Sequence, residues 1–405
     1  MSLELTAMTQ PGERLVALAE ALAGEIAPRA ADHDREASFP FDSFAVVKQS
    51  GYFTAPIPEQ LGGLGVTSLH DVMVASSRLA RGDAALTLGV NMHLVYLFNV
   101  VRRWRRAIAG GDERRSGAFA STLERIVRDG TVFASVGSEF KQDLTRPATT
   151  ATRTDDGWVV SGIKVFCTMS PAADVLYTAV TYRGEDGLER YGYAMVPRET
   201  PGVLVHDDWD ALGMRASGSH SVSFEHVRLP ASALRGGFPV GDVIQYMERN
   251  LSTGLFHAAA ALGIAESAHG GAAFQLAHRK QYDPRTEVLA AANVVDLSAS
   301  RAVLSRSATL IDSHHPLNPS SAGTAEQLTG LFAEAQSAKA FIGEAAVRIV
   351  DRALALSGGA GYLNGSPLAR AYRDVRAIAF MHPLGANRAY AFLGQHAAGR
   401  DPDLH

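Results

Sequence analysis

A chain of 405 residues with 46% hydrophobic residues, 20% charged residues and a formal net charge of −4 can form two or three packed layers or domains. It lacks the basic excess that binding nucleic-acid phosphates requires. Its single cysteine, Cys167, excludes an intrachain disulfide and a multi-cysteine metal site. No run is expected to be long and apolar enough to cross a bilayer, and the N-terminus lacks the pattern of a secretion signal, so the expectation is a cytoplasmic protein without a membrane or metal partner.

From Pro11 onward Leu15, Leu18, Ala19, Leu22 and Ile26 follow helical spacing, and Pro28 is expected to end or bend that helix. Helical sequence resumes at Phe41. Residues 55–65 carry two prolines and three glycines and predict an ordered loop. Residues 69–109 return to helix, with Asn91, Met92 and His93 inside an apolar run. The basic run of residues 102–106 (Arg102, Arg103, Trp104, Arg105, Arg106) reads either as a solvated helix face or as a grip on a phosphorylated ligand or anionic partner.

Near Thr131 the periodicity changes. Short apolar runs at 132–136, 158–160, 175–180, 191–196, 203–205 and 222–224 alternate with turn residues, as in Asp155-Asp156-Gly157. They predict a compact β-domain of hairpins, folded as a barrel or sandwich. Inside it, residues 161–170 offer the flat face of Phe166 and the hydroxyl of Thr168. Two residues apart on one strand, these side chains are expected on one side, a pairing that suits a planar heteroaromatic ring. From about Val240 the sequence is helical again, with long helices expected over 251–276, 288–311 and 324–356. Leu328, Leu331, Phe332, Ala335, Phe341 and Ile342 stripe the last of these. His314 and His315 precede Pro316 and read as a polar turn rather than a metal-ligand pair. The expected fold class is α+β: an N-terminal all-α domain (1–130), a central β-barrel or sandwich domain (131–237) and a C-terminal four-helix-bundle domain (238–405).

In this order the chain resembles the acyl-CoA dehydrogenase superfamily of flavoproteins from about residue 15 to about residue 394. Ser135-Val136-Gly137-Ser138-Glu139, followed by Asp143, looks like a shortened form of the family's flavin loop. Gly162-Ile163-Lys164-Val165-Phe166-Cys167-Thr168 resembles its Gly-x-Lys-x-Trp-Ile-Thr strand, with Phe166 in the Trp place. Leu212-Gly213-Met214-Arg215-Ala216-Ser217 resembles its Leu-Gly-x-Arg-x-Ser turn, and the exit from Val222 to Pro230 follows its pattern. Arg279-Lys280-Gln281-Tyr282 stands where the family has Arg-x-x-Phe. Gly358-Gly359-Ala360-Gly361-Tyr362 and Arg373-Asp374 match its C-terminal elements. The resemblance implies a flavin, FAD or FMN, with Thr168 at the ring's N5, Phe166 as its aromatic wall and Ser138 on the pyrimidine side. It also implies that Gly358, Gly359, Arg279 and Tyr282 meet the cofactor's far end from a neighbouring subunit, in a homotetramer.

The departures bear on the reaction. Counting from Arg373-Asp374, the place of the dehydrogenases' catalytic glutamate falls on His382, and the alternative acid position, counted from residues 259–263, falls on Thr253 and Gly254. The superfamily's flavin-dependent monooxygenases, of the dibenzothiophene monooxygenase and 4-hydroxyphenylacetate hydroxylase oxygenase type, need no carboxylate base, and a functional histidine in their N-terminal region is matched by His93. The favoured expectation is a two-component monooxygenase that takes reduced flavin from a separate reductase and uses O₂ on a small organic substrate. The alternative is an acyl-CoA dehydrogenase or oxidase in which a neutral imidazole is the base. For the monooxygenase His382, His93 and Thr168 are the expected catalytic residues; for the dehydrogenase His382 is the expected base.

Overall fold

The computed structural model describes residues 4–140, 143–278, 283–314, 325–401 and 404. Helix α1 (Gln10–Glu36) begins where the Thr9 side chain accepts a hydrogen bond from the Gly12 amide, and it ends at Ala37 in the left-handed conformation. It buries Leu15, Ala19, Leu22 and Ile26 and runs through Pro28 rather than stopping there. Helix α2 (Phe41–Gln49) follows, and residues 55–65 form the expected loop around a 3₁₀ turn, Glu59–Leu61.

Residues 69–109 form two helices, because Asp83 caps a new start by accepting from the Leu86 amide at 3.0 Å. Helix α3 (Leu69–Ala80) is buried on every side, and α4 (Ala84–Ala109) nearly so. Helix α5 (Glu113–Asp129) ends at Gly130, whose φ of 59° suits a left-handed helix stop.

The basic run is not a solvated face. Arg102 is buried on α4 and donates to the Glu248 carbonyl at 2.9 Å, and Arg106 pairs with the Glu248 carboxylate. These contacts dock α6 (Val243–Asn250) against α4.

The β-domain is one mixed sheet built from β1 (Phe133–Val136), β2 (Thr150–Thr154), β3 (Gly157–Cys167), β4 (Val175–Arg183), β5 (Glu189–Pro197), β6 (Val203–Val205), β7 (His220–Pro230) and β8 (Leu234–Pro239). The path runs β6-β7-β3-β2-β4-β5-β8, with β1 also on β4. Hairpins are not the whole plan, since β1 and β2 both pair with β4 in parallel. Inward side chains such as Val136, Val160, Leu176, Val196, Val222 and Phe224 share one core, as barrel and sandwich packing requires.

The C-terminal region consists of α7 (Thr253–Ala277), α8 (Pro284–His314), α9 (Ala325–Ser357) and the shorter α10 (Pro367–Asp374) and α11 (Ala386–Ala397). Helix α7 crosses α3 at Gly263, where a Cβ would lie 2.3 Å from the Ser77 carbonyl, so only glycine allows that approach. His314 ends α8, and the rest of the expected turn lies outside the described residues. Helices α4 and α8 are long and apolar enough by composition alone to cross a membrane, contrary to the sequence expectation. The apolar window of α4 is 94% buried inside the protein and that of α8 is 22% buried.

Candidate active site

A cavity of about 650 Å³ opens where α4, the β-domain and the C-terminal helices meet. Phe166, Thr168, Ser138, Ser219, His257 and His382 all line it, so it gathers residues from sequence positions more than 240 apart.

At its β-domain wall, β3 ends irregularly. Its pairing with β7 shifts register between Lys164 and Cys167, Phe166 takes φ 59°, and Met169 takes φ 66°. Left-handed backbone at two bulky residues is uncommon and is retained only where the surroundings impose it. Phe166 and Thr168 therefore reach the same cavity through a bulge and a turn, not through strand alternation. The Phe166 side chain is 56% exposed, with Trp209 edge-on at a ring separation of 6.1 Å. Thr168 Oγ1 lies 2.9 Å from Ser219 Oγ, which lies 2.6 Å from Ser217 Oγ.

Ser138 belongs to the loop after β1, and its carbonyl accepts from the Val165 amide at 3.1 Å. That loop is fastened by a buried ion pair between Lys164 Nζ and Glu139 Oε1, 2.6 Å apart. Burial alone would raise the Glu139 pKa, but the Lys164 charge and hydrogen bonds from Lys164, Thr149 and Ala148 outweigh it and hold the carboxyl below its usual range. Cys167 is buried beside them, and burial pushes its thiol well up, so it is not a nucleophile.

The cavity rim is the turn Trp209–Met214. Met214 N donates to Asp374 Oδ1 at 2.5 Å, and a Cβ on Gly213 would stand 2.2 Å from the Arg373 carbonyl oxygen. Arg373 in turn pairs with Asp34 at 2.5 Å. The Arg-Asp element thus clamps the Leu-Gly-Met-Arg turn onto α10 and α1. Burial pushes the Asp374 carboxyl up to about 7.

Beyond the rim, Tyr177 and Tyr193 stack with centroids 4.5 Å apart and planes 5° apart. The Arg249 guanidinium lies 5.0 Å over the Tyr193 ring and donates to the Tyr177 hydroxyl at 3.3 Å.

His382 lines the cavity from the segment after the 3₁₀ turn Val375–Phe380, with Nε2 3.1 Å from Asn250 Oδ1 and 3.3 Å from the Tyr246 hydroxyl. Behind it, Lys339 of α9 donates to the carbonyls of Met381 and Leu384, the latter at 2.8 Å. Burial and the Lys339 charge push the His382 pKa down to about 3, so the ring is neutral at ordinary pH. Burial pushes Lys339 down to about 7. His257 of α7 lies beside them; burial and the charges of Lys339 and His382 lower its pKa, a hydrogen bond with the His382 backbone opposes them, and its Nδ1 has no hydrogen-bond partner.

His93 does not reach the cavity. Its Nδ1 accepts from the Phe133 amide at 3.0 Å, its Nε2 lies 3.1 Å from the Phe53 carbonyl oxygen, and burial pushes its pKa down to about 3. It joins α4 to β1 and to the loop before α3, outside the lining of the cavity where a catalytic role was expected. Gly358 and Gly359 stand exposed at the end of α9, away from their own chain's cavity. Arg279 and Tyr282 lie outside the described residues. His257 and Lys339 were missed by sequence reasoning. The only available signal was a polar residue within an apolar helical run. No group of three or more possible metal ligands occurs among the described residues.

An exposed aromatic face, a hydroxyl pair and a backbone-rich loop around one deep cavity fit a flavin ring and an organic substrate. The acyl-CoA dehydrogenase N-terminal, middle and C-terminal domains match residues 15–104, 137–227 and 255–383. The chain is 32% identical to L-evernosamine nitrososynthase of Micromonospora sp., over 98% of this chain and 92% of that protein. Its fold matches the structure of KijD3 in complex with FMN and dTDP-3-amino-2,3,6-trideoxy-4-keto-3-methyl-D-glucose with a TM-score of 0.88 and 30% identity, covering 100% of this chain and 98% of that one. It also shares the fold of dibenzothiophene monooxygenase (TdsC) from Paenibacillus sp. A11-2, with a TM-score of 0.80 and 23% identity over 96% and 98% of the two chains. Full-length similarity and the three successive domain matches lead to one conclusion: the chain belongs to the acyl-CoA dehydrogenase family of flavin-dependent oxidoreductases.

Proposed function

We propose that the protein is a flavin-dependent monooxygenase that oxygenates the amino group of an amino sugar nucleotide. The observation that carries this reading is the cavity's lining: among the described residues its one carboxylate is Asp210, a side chain 95% exposed at the rim. Counting from Arg373-Asp374 puts His382 in the place of the dehydrogenases' glutamate, and a neutral imidazole with a pKa near 3 is a weak base for removing an α-proton. The full-length similarity to a nitrososynthase supports the amino sugar substrate.

Phe166, Thr168 and Ser138 are the residues we assign to the flavin ring, with FMN supported by the complex of KijD3. When reduced, the bound flavin supplies activation of O₂. Each turnover consumes one O₂ and one reduced flavin, places one oxygen atom on nitrogen and releases the other as water. Because no dinucleotide-binding glycine fingerprint occurs in the sequence, reduced flavin would come from a separate reductase. Thr168, whose Oγ1 lies 2.9 Å from Ser219 Oγ, would help hold the ring through its hydroxyl. His382, held by Asn250 and Tyr246, orients the substrate, and the apolar α4 side chains Leu88, Met92 and Val95 keep water out. Gly358, Gly359, Arg279 and Tyr282 are assigned to contacts with a neighbouring subunit's cofactor in a homotetramer.

The test is reconstitution of the full chain with FMN, a flavin reductase, NADH and air, with dTDP-3-amino-2,3,6-trideoxy-4-keto-3-methyl-D-glucose as substrate. The expected product is heavier by one oxygen atom, labelled from ¹⁸O₂. Bleaching of bound flavin by an acyl-CoA without a reductase would instead establish the dehydrogenase reading.

A further inference from the structure

Packing accounts for only part of the basic run 102–106. Arg102 and Arg106 take the carbonyl and the carboxylate of Glu248. Arg103 does not. Four residues after Asn99, which lines the cavity, it falls on the same face of α4, and the fields of Tyr177, Arg249 and Tyr193 act on it there. Arg249 reaches the same place from α6. It donates to the Tyr177 hydroxyl at 3.3 Å and lies 5.0 Å over the Tyr193 ring and 5.8 Å over the Phe238 ring, all of them neutral partners. Both arginines are half-buried, and neither forms an ion pair among the described residues.

Guanidinium groups held near one another and partly out of water repel, and a charge withdrawn from water calls for a counterion. The crowding is also felt by Arg102: burial and the charge of Arg106 push it down to about 9, Glu248 opposes them, and Arg103 and Arg249 add to the fall. A phosphate supplies what this cluster lacks, since its oxygens match the guanidinium fork in charge and in spacing. The position suits a substrate. Arg249 immediately precedes Asn250, whose Oδ1 lies 3.1 Å from His382 Nε2, so a ligand that brings its reacting group to His382 has its neighbouring part beside Arg249. The contacts assigned to the flavin ring, Phe166, Thr168 and Ser138, belong instead to the end of β3 and the loop after β1.

We propose that Arg249 and Arg103 form the site that takes the diphosphate of a nucleoside diphosphate substrate, with the stacked rings of Tyr177 and Tyr193 as the rigid wall that aims Arg249. This rests on the amino sugar nucleotide reading above and adds the residues that recognise the anionic half of the substrate. It also gives the unpaired half of the basic run a ligand. Coenzyme A carries a diphosphate ester as well, so the shared chemistry has two sources that binding can separate.

Calorimetric binding of thymidine, dTMP, dTDP and coenzyme A to the FMN-loaded full chain tests this. dTDP is expected to bind more tightly than dTMP, and dTMP more tightly than thymidine, with the advantage of dTDP shrinking as salt is raised. Arg249→Met should weaken dTDP roughly 10- to 100-fold, as the loss of charge-assisted hydrogen bonds to phosphate requires, and leave FMN and thymidine unchanged. Arg249→Lys should recover part of that loss. Arg103→Gln should weaken dTDP by a smaller factor, and it remains a test if Arg249→Met does not fold. In turnover of dTDP-3-amino-2,3,6-trideoxy-4-keto-3-methyl-D-glucose, both variants should raise KM more than they lower kcat. Unchanged dTDP affinity in both variants, an equal loss for thymidine and dTDP, or a loss of FMN in place of dTDP would overturn the site, while oxygenation of the amino sugar nucleotide would still uphold the function. Binding of coenzyme A that depends on Arg249, with no binding of dTDP, would keep the diphosphate site and overturn the amino sugar reading.

Discussion

Lys164 Nζ and Glu139 Oε1 stand 2.6 Å apart with side chains 0% and 5% exposed, joining the centre of β3 to the loop that carries Ser138. Removing one partner leaves the other's charge buried, so Lys164→Met is expected to cost about 3–5 kcal/mol in denaturant titration and to weaken flavin binding, because the Ser138 loop is released. Replacing both residues with Met should recover much of that loss. The Glu139 carboxyl is held below its usual range. Its contribution is therefore fully present above the unfolded carboxylate pKa near 4.5 and is lost as pH falls through the lower folded value.

His93→Leu is expected to behave as a stability variant. It strands the Phe133 amide, which now donates to the imidazole, and the Phe53 carbonyl, each buried. The loss should be about 1–3 kcal/mol, measured by thermal or denaturant unfolding, with activity per folded molecule close to wild type. A folded pKa near 3 against an ordinary 6.5 means that the wild-type ring binds its proton only on unfolding. Stability from this group is complete above pH 6.5 and declines as pH falls toward 3, and His93→Leu should flatten that decline.

Thr168→Val keeps shape but removes the hydroxyl that meets Ser219. If the hydroxyl also meets the flavin, the substitution should lower the yield of oxygenated product per reduced flavin, with more hydrogen peroxide released. Unchanged coupling would place Thr168 away from the ring. Loss of one such hydrogen bond corresponds to about 1–3 kcal/mol.

His382→Ala should retain flavin, whose assigned contacts lie in the β-domain, while substrate oxidation falls by roughly 10² or more. Should acyl-CoA bleach the wild-type flavin and His382→Ala abolish that bleaching, the imidazole is a dehydrogenase base and the monooxygenase reading fails.

Gly213→Ala drives a methyl group into the Arg373 backbone, since the added Cβ would fall 2.2 Å from the carbonyl oxygen. Overpacking of this kind costs about 1–3 kcal/mol. The expected result is a lower unfolding midpoint together with weaker substrate binding, because Gly213 and Arg373 both line the cavity.

The alternation of helical, strand and helical sequence was legible because amphipathic period and turn residues are local properties. So were the stretches 161–168 and 212–217, since each motif is contiguous. Strands β2 and β8 were not legible: Thr150–Thr154 has no apolar run, and Leu234–Pro239 contains two glycines, so both are strands only because a neighbouring strand pairs with them. His93 and His382 show the same division more sharply. Each is a histidine in apolar sequence, and nothing local separates them. Folding places one between two backbone groups at the α4–β1 junction and the other against Asn250 and Tyr246, on the cavity wall. Lys339 joins His382 only because α9 packs behind the segment 381–384. Chemical identity and local period were set by the sequence itself. The proton affinities and partners of these bases depend on burial and on fields from residues 40 or more positions away, which only the packed tertiary structure brings together.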